Sequence, residues 1–391
     1  MEQDPDATSL SETPLPEFSV AVENTVRGGD EPRRKAPPRR GLQRMKSAMR
    51  AREVPVLELS IHFFAYKALL LMLALISSAL GVYDSSSRLI EDGPLLNHWD
   101  SVYFTHIGSK GYVFEQEFAF GPLMPYSCRW IPPILLGTLC HYIAVIMFYR
   151  VSLQTTGSER ISKVATLLHI ISPAGIFLCT GYTEPMYAAL TFAALSILHS
   201  HPYLAACLFG LSGLTRTTGI ISALYFLPKR PEPLRMLKTA VYGGIVCLPW
   251  LSTQAYAYYL FCPDRPWCTN SPPFIYSFVQ DQYWNVGFGR YFTLSNLPLF
   301  VLSAPMYLLC FLSLDFSLLS VQQGLLTFIT FTSAHAQIIT RMSSAFPRIY
   351  LYLAQMLLQD ERRGIWSHVV VFFVLYGMIQ AVLFGAFLPP A

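Results

Sequence analysis

One acidic residue early in the chain has neighbours suited to proton transfer. Asp100 lies in NHWDSVYFTHIGSKGY, beside Trp99 and between His98 and His106. A carboxylate held near a sugar hydroxyl can accept its proton as that oxygen attacks, and the neighbouring aromatic rings offer apolar faces to sugars. An Asp before a helical run is also a common helix N-cap, so both interpretations stay open. The spacing of the two histidines is not that of a metal site.

A second candidate segment interleaves aromatic and polar side chains. It is PWCTNSPPFIYSFVQDQYWNVGFGRYF, in which eight residues from Phe274 to Phe292 are aromatic. Aromatic residues at a membrane edge usually form an interfacial belt. The interleaved polar residues suit a carbohydrate or a lipid head group better than a plain belt does. The candidate substrate ligands here are Gln280, Tyr283, Trp284, Asn285 and Arg290.

A third candidate set consists of ionisable and polar residues within or between apolar runs. Such residues at membrane depth are functional candidates, and an arginine can bind a phosphate through charge-assisted hydrogen bonds. The competing interpretation is an arginine that extends to the membrane interface. The set comprises Glu184, Arg216, His335, Gln337, Arg341 and Arg348.

The elements that must position these residues are membrane helices. Of the 391 residues, 53% are hydrophobic and 13% are charged, whereas a soluble protein carries about 25% charged residues. The mean hydropathy is +0.39. Apolar runs of about 20 residues suffice for a crossing, and each must be helical because lipid cannot satisfy exposed backbone groups. The runs predict an all-α integral membrane bundle of about eight to ten membrane helices with structured loops.

The distribution of basic residues predicts the orientation of the chain. Ten of the 28 Lys and Arg residues lie between Arg27 and Arg52, and a basic segment before a first crossing marks the cytosolic side. We therefore interpret residues 1–55 as a disordered, basic cytosolic tail that does not bind nucleic acid. Residues 56–391 are then the multi-pass domain. The same rule places loops 83–130 and 261–295 together on the opposite face.

Three apolar runs conflict with this orientation unless the chain is interrupted. Runs 164–180, 185–199 and 203–227 lie between two loops that are cytosolic by charge. Three full crossings cannot begin and end on one side, so at least one run is broken or re-entrant. Breaks are tolerated where they line a polar cavity. The sequence leaves open which run it is.

The cysteines and the absent motifs narrow the chemistry. Cys128, Cys262 and Cys268 lie in polar loops, where one disulfide can form if the loops face an oxidising lumen. The pairing cannot be deduced from the sequence. The chain contains no Walker loop, Rossmann fingerprint or HExxH motif, so a lipid-linked donor suits it better than a nucleotide sugar.

Several long segments together resemble the GPI mannosyltransferase 2 family, the PIG-V family. They include HWDSVYFTHIGSKGYVFEQEFAFGPLMP, SPAGIFLCTGYTEPMYAAL, LTRTTG and HAQIITRMSS. The resemblance implies a GT-C fold in the endoplasmic reticulum membrane, with the site facing the lumen. It further implies transfer of the second mannose, in α-1,6 linkage, from dolichol-phosphate mannose to the GPI precursor glycolipid. No bound metal or other cofactor is implied, and some members work with a small membrane accessory subunit.

The resemblance also carries individual residues over. The matching positions are Trp99 and Asp100 in the first loop, Tyr283, Trp284, Asn285 and Gly287 in the second, and His335, Gln337 and Arg341 later in the chain. One departure is Gly121 in FAFGPLMP, where many members carry a second aromatic residue. This departure puts in question how the wall of the site is built.

These observations lead to a mechanistic hypothesis with two rivals. A β-linked donor and an α-linked product require one inverting displacement, with Asp100 as the base. Arg341, assisted by His335 or Arg348, would bind the departing phosphate. The first rival is another GT-C transferase that uses a dolichol-phosphate sugar. The second is a transporter of lipid-linked sugars.

Overall fold

The computed structural model describes residues 54–83, 94–228, 230, 232–359 and 363–388. Within these residues the secondary structure is helical, without a β-strand. The predicted basic tail, residues 1–55, lies outside the described residues except for its last two positions. Its disorder and its cytosolic location therefore stay predictions.

The α helices are named here in chain order. They are α1 Val56–Leu80, α2 Asp100–Lys110, α3 Leu123–Ser127, α4 Pro133–Thr156, α5 Glu159–Ile170, α6 Thr183–Ile197, α7 Pro202–Gly213, α8 Pro233–Phe261, α9 Ile275–Trp284, α10 Leu297–Leu312, α11 Leu318–Ser333, α12 Ile338–Met342, α13 Pro347–Leu357 and α14 Arg363–Gly385. Short 3-10 helices cover Glu115–Ala119, Gly175–Leu178, Thr217–Phe226, Pro266–Thr269, Leu294–Asn296 and Ser343–Ala345.

Four of the described helical segments are long and apolar enough to cross a membrane. They are Val56–Leu80, Pro133–Thr156, Leu294–Leu312 and Arg363–Gly385. Their outer faces keep large apolar side chains exposed, as contact with lipid requires. The prediction of an all-α, multi-pass membrane protein is confirmed. The predicted number of crossings stays a prediction, because several apolar runs are divided among shorter helices.

Two of the three ambiguous apolar runs are broken. Run 164–180 is interrupted after α5 at Ser172-Pro173, where proline has no N–H to continue a helix. Run 203–227 is interrupted between α7 and the 3-10 helix Thr217–Phe226, with Arg216 at the break. Run 185–199 is a single helix, α6. The sequence required at least one break, and the structure contains two.

Small residues allow α1 and α14 to pack closely. A Cβ atom on Gly385 would collide with the carbonyl oxygen of Ala74 on α1. Around this contact, Phe63 and Leu70 of α1 share a buried core with Phe384 of α14. Within lipid, such close packing replaces the hydrophobic effect as the force that joins helices. The end of α14 is thereby fixed beside the first long loop.

The two long loops contact each other through a buried acidic residue. Glu115 accepts a hydrogen bond from Nε1 of Trp267 at 2.8 Å and an ion pair from Arg265 at 3.3 Å. Arg265 and Trp267 lie inside the ring closed by a disulfide between Cys262 and Cys268. The sequence allowed one disulfide among the three loop cysteines without fixing the pairing, and the structure pairs Cys262 with Cys268 and leaves Cys128 free.

Candidate active site

The turn before α2 presents Asp100 to the interior of the bundle. Trp99 has a positive φ of 56°, which for a non-glycine residue is a strained backbone that costs about 1–3 kcal/mol. Two hydroxyl groups hold this turn by donating to the carbonyl oxygen of His98, Ser101 Oγ at 2.7 Å and the Tyr182 hydroxyl at 2.8 Å. Asp100 is the first residue of α2, and its carboxylate bonds across the bundle to Arg341 instead of capping the helix.

Four charged side chains from distant parts of the chain form one continuous network. Nη2 of Arg341 lies 3.2 Å from Oδ2 of Asp100 and 2.6 Å from Oε1 of Glu184. Nη1 of Arg216 lies 2.7 Å from the same Oε1 atom of Glu184. We call these four residues the charge cluster. Two carboxylates and two guanidinium groups balance its formal charge.

The burial of the cluster explains why its members must pair. Glu184 is 1% exposed, whereas Asp100 is 32% exposed. A buried carboxylate without partners would cost several kcal/mol, and the two guanidinium groups on Glu184 remove that cost. Asp100 therefore lies at the accessible end of the cluster, and Glu184 anchors its buried end.

Aromatic rings and interrupted helices hold the two arginines in place. The guanidinium carbon of Arg341 lies 4.5 Å from the ring centroid of Phe177 and 5.0 Å from that of Tyr182, a favourable cation–π arrangement. Both rings follow the break at Ser172-Pro173, and Arg216 occupies the second break. Irregular backbone at this depth is expected only where it is buried in protein or lines a polar cavity, and here the two breaks bring Phe177, Tyr182 and Arg216 against the charge cluster.

An aromatic wall stands beside Asp100. The ring centroids of Tyr103 and Trp284 lie 5.3 Å and 5.8 Å from that of Phe120. Burial raises the pKa of Tyr103, and the nearby charges of Asp100 and Glu117 raise it further. Tyr103 therefore keeps its proton at neutral pH and can donate a hydrogen bond from this wall.

The second loop is fastened to the end of α11. Asn285 ends α9 in a left-handed conformation with φ of 50°, and the backbone N–H of Gly287 donates to the Ser333 carbonyl at 3.0 Å. A second contact ties this loop to the first loop, because the Tyr283 hydroxyl donates a hydrogen bond to Glu115 at 3.4 Å. These bonds fix where Trp284 stands.

His335 and Gln337 support this loop rather than the charge cluster. Nε2 of His335 lies 3.0 Å from the carbonyl oxygen of Trp284, and its ring stacks on Tyr291 with centroids 4.8 Å apart. The Tyr291 hydroxyl donates to Gln337 at 3.0 Å. Their predicted roles as substrate ligands stay predictions.

The two histidines that flank Asp100 are engaged in other contacts. Nδ1 of His98 bonds to the carbonyl oxygen of Phe384 at 2.8 Å, and the ring stacks on Phe387 at 4.5 Å. Burial lowers the pKa of His98, although the bond to Phe384 partly offsets this effect. His106 pairs with the buried carboxylate of Glu117. Neither joins the charge cluster.

Two of the predicted arginines also lie apart from the cluster. Arg290 forms an exposed ion pair with Asp281, next to the predicted ligand Gln280. Arg348, on α13, pairs at 2.7 Å with Asp315, which lies in the turn between α10 and α11. The structure does not bring Arg348 to Arg341, and the second cation beside Arg341 is Arg216.

The pairing of Asp315 gives Arg348 a structural partner. Burial raises the pKa of Asp315, but hydrogen bonds from Ser317 and Ser320 and the charge of Arg348 outweigh it. The net pKa of Asp315 lies below its usual value. Asp315 therefore stays ionised at neutral pH, and Arg348 is committed to it.

Sequence reasoning missed the acidic pair that organises the first loop. Glu115 and Glu117 are both nearly buried, and Glu117 accepts hydrogen bonds from the backbone N–H groups of Val113 and Phe114 at 2.7 Å and 2.9 Å. The available signal was two acidic residues within the aromatic segment FEQEFAF. Carboxylates that alternate with aromatic rings are not typical of a solvated loop, so the pattern indicates a buried segment.

Gly121 has a steric reason to depart from an aromatic residue. A Cβ atom there would collide with the carbonyl oxygen of Leu214, at the break that carries Arg216. The same oxygen accepts a hydrogen bond from the backbone N–H of Leu123 at 3.1 Å. In this chain the backbone at Gly121 packs directly against the backbone at Leu214, where an aromatic side chain would not fit.

The family model described as Mannosyltransferase (PIG-V) matches residues 56–132, 127–318 and 308–391, which include all four residues of the charge cluster. The chain belongs to the PIG-V mannosyltransferase family. As a family member it is an enzyme, a glycosyltransferase of the membrane.

Curated proteins of similar sequence match most of the chain at just above 30% identity. "GPI mannosyltransferase 2" of Aspergillus oryzae is 34% identical, over 86% of this chain and 96% of its own length. The protein of the same description from Yarrowia lipolytica is 32% identical, over 85% of this chain and 98% of its own length. "GPI alpha-1,6-mannosyltransferase 2" of Rattus norvegicus is 30% identical, over 55% of this PIG-V family member and 56% of its own length.

Proposed function

We propose that this enzyme transfers a mannose from dolichol-phosphate mannose to the 6-hydroxyl of the single mannose on the GPI precursor. The observation that carries the proposal is the charge cluster, in which a partly exposed carboxylate and two guanidinium groups lie together. The names of its relatives supply the acceptor and the α-1,6 linkage. A base and an anion site side by side are what an inverting transfer requires.

Asp100 is the proposed base of the reaction. As the acceptor oxygen forms its bond to C1 of the donor mannose, the hydroxyl proton moves to the Asp100 carboxylate. The 32% exposure of Asp100 leaves room for the hydroxyl. The positive-φ turn at Trp99 and the hydrogen bond that the Tyr182 hydroxyl donates to the His98 carbonyl keep the carboxylate in place.

Arg341 and Arg216 are the proposed site for the leaving group. The bond between C1 and the phosphate oxygen breaks as the new bond forms, so charge accumulates on the dolichol phosphate. Two guanidinium groups fixed in advance stabilise that charge without reorganisation. Glu184 would hold both groups within one phosphate's reach and is a positioning residue. Arg216 thus takes the role that the sequence had suggested for His335 or Arg348.

Tyr103, Phe120 and Trp284 are the proposed platform for the sugars. Aromatic faces cover the apolar faces of mannose rings, and a protonated Tyr103 adds a hydrogen-bond donor. The disulfide in the second loop supports an oxidising compartment on this face, consistent with the lumen of the endoplasmic reticulum. The cytosolic side is then that of the N-terminus.

The test is a transfer assay with the purified full chain in neutral-lipid nanodiscs. It receives dolichol-phosphate mannose and a GPI precursor with one mannose, and the product is analysed by mass spectrometry and linkage-specific mannosidases. The expected product carries a second mannose in α-1,6 linkage. Redistribution of donor without product would indicate a transporter, and activity only on dolichol-linked glycans would indicate another transferase. Activity that appears only after adding cell membranes would reveal a required accessory subunit.

A further inference from the structure

A cavity lies along the face of α2 that carries Thr105 and Ser109. Its volume is about 370 Å³, and Phe104, Thr105, Ser109, Arg129 and Pro133 are among its lining residues. This volume is within the range of small-molecule binding sites. At about 100° per residue, α2 turns Asp100 and Tyr103 towards the charge cluster and turns Thr105 and Ser109 towards the cavity. The cavity is therefore a neighbour of the candidate active site and not part of it.

The lining of the cavity includes an exposed arginine, Arg129. Its guanidinium group forms no ion pair or side-chain hydrogen bond within the described residues, whereas the more buried Arg216, Arg341 and Arg348 all pair with carboxylates. Its neighbour Trp130 is 84% exposed, and α4 begins at Pro133. An exposed tryptophan beside the first turn of a membrane helix marks the level of the lipid head groups. Arg129 therefore lies where phosphate groups of lipids are found.

A buried amide provides a second, independent indication of a ligand. A smaller recess shares Phe104 and Thr105 with the cavity, and Asn97 lines it. Asn97 is 5% exposed, and its Oδ1 accepts a hydrogen bond from Thr105 at 3.0 Å. Its Nδ2 has no partner among the described residues. An unpaired buried donor is costly, and an oxygen atom of a ligand would recover that cost.

The residues of this cavity suit an anion attached to a polyol. Arg129 supplies a positive charge, and Asn97 of the adjoining recess supplies a buried donor. The hydroxyl groups of Thr105 and Ser109 donate to backbone carbonyls of α2, so their oxygens can accept from the hydroxyl groups of a polyol. The cavity as described has no Asp or Glu in its lining. Phe104 and Pro133 add apolar faces. This combination matches the phosphodiester and inositol ring of phosphatidylinositol better than a neutral head group.

The position of Arg129 matches the length of such an acceptor. Gly108 lets α2 approach closely, because a Cβ atom there would lie 2.7 Å from the Pro125 carbonyl oxygen and 3.8 Å from Cγ of Arg129. Gly108 follows Asp100 by eight residues on one helix, a rise of about 12 Å. A glycosylphosphatidylinositol carries its reacting mannose and its phosphate at opposite ends of a short glycan. One end can reach Asp100 while the other reaches Arg129.

We infer that Arg129 and Asn97 form a subsite for the phosphodiester of the acceptor's phosphatidylinositol, so that α2 measures the glycan between its phosphate and its reacting mannose. The inference rests on the proposed function. It assigns the acceptor's lipid end to a cavity that the charge cluster does not touch.

The test compares two acceptors in neutral-lipid nanodiscs holding the purified full chain. One is the GPI precursor with a single mannose, and the other has the same glycan on an alkyl glycoside without phosphate. Arg129→Gln should raise KM for the phosphate-bearing acceptor about 10- to 100-fold, as loss of a charge-assisted hydrogen bond predicts. The kcat, and the KM for the phosphate-free acceptor, should be unchanged. Arg129→Lys should restore most of the KM.

Matched controls separate this subsite from general effects of charge and from bulk lipid. Lys110→Gln removes an equal charge from the end of α2 outside the cavity and should leave KM unchanged. Equal KM in parent and Arg129→Gln, or equal losses with both acceptors, would overturn the inference. A loss that appears only when phosphatidylinositol is added to the bilayer would assign the cavity to bulk lipid and also overturn it.

A binding measurement keeps the inference independent of turnover. Without donor, the phosphate-bearing acceptor should raise the Tm of the parent and not that of Arg129→Gln. If the parent transfers no mannose but shows this Arg129-dependent shift, the proposed function fails while the subsite stands. If the parent transfers mannose and the shift is identical in Arg129→Gln, the subsite fails alone.

Discussion

Nη2 of Arg341 lies 3.2 Å from Oδ2 of Asp100, although 241 positions of the chain separate the two residues. The contact joins the first residue of α2 to the short helix α12. The same arginine also contacts the buried Glu184. A candidate base and a candidate phosphate ligand are therefore fixed against each other before any substrate binds.

Asp100→Asn should abolish most turnover while the protein keeps its fold. The amide preserves the shape of the side chain but is not a base, so kcat should fall by about 10²- to 10⁴-fold. The KM for dolichol-phosphate mannose should change little. Steady-state kinetics on the purified variant provide the measurement. Asp264→Asn, in an exposed position of the second loop, is the matched control, and a parent-like kcat for Asp100→Asn would rule out the base.

Glu184→Gln should destabilise the bundle from its interior. The change leaves the guanidinium groups of Arg216 and Arg341 without their shared buried carboxylate. Removal of one partner from a buried ion pair costs about 3–5 kcal/mol. Chemical denaturation in detergent, followed by tryptophan fluorescence, measures the loss. The exposed pair of Glu232 and Arg235 supplies the control, because Glu232→Gln should cost less than about 1 kcal/mol, and equal effects of the two variants would contradict the structural account.

Arg216→Gln and Arg348→Gln should differ in kind. Arg216 belongs to the charge cluster, so its loss should raise the KM for the donor about tenfold or more, by removing a charge-assisted hydrogen bond. Arg348 pairs with Asp315, so its loss should lower stability without changing that KM. Donor titrations and thermal unfolding of both variants make the comparison. A donor KM raised by Arg348→Gln alone would return the phosphate to the site first suggested by the sequence.

Gly121→Ala should disturb the wall of the site through its backbone. The added methyl group collides with the Leu214 carbonyl at the break beside Arg216, and overpacking of this kind costs about 1–3 kcal/mol. Lower Tm and lower kcat are expected together. Gly243→Ala on α8, where a Cβ atom meets nothing within 4 Å, should lower neither. An unchanged Tm in Gly121→Ala would mean that this close approach is not maintained in the protein.

The sequence was informative where composition or local chemistry decides the outcome. Apolar runs of about 20 residues with few charges predict membrane helices, so the fold class followed from them. Lys and Arg residues place the loops on both sides of residues 164–227 in the cytosol. Three full crossings cannot join two loops on one side, so at least one of the three apolar runs had to be interrupted. The chain breaks within two of those runs, at Ser172-Pro173 and at Arg216. Arg341 stood out as an ionisable group between apolar runs, and Asp100 stood out as a carboxylate beside Trp99 and between two histidines.

The partners of these residues depended on the tertiary structure. Nothing local distinguishes Arg341, which joins Asp100, from Arg348, which lies seven residues later and pairs with Asp315. The same holds for His335, whose ring supports Trp284. A long side chain reaches several neighbours, and the packing of distant helices selects one. The role of Glu115 likewise became clear only from its hydrogen bond with Trp267, a residue of the second loop.

The sequence by itself determined that this protein is an all-α membrane enzyme of the PIG-V family, because hydrophobic runs and family segments are properties of the linear chain. Only the tertiary structure decided which charges share a cluster. Two carboxylates and two guanidinium groups from four separate segments become neighbours when two broken runs bend inward. In a bundle interior with little water, each charge must then find the opposite charge that the fold places beside it.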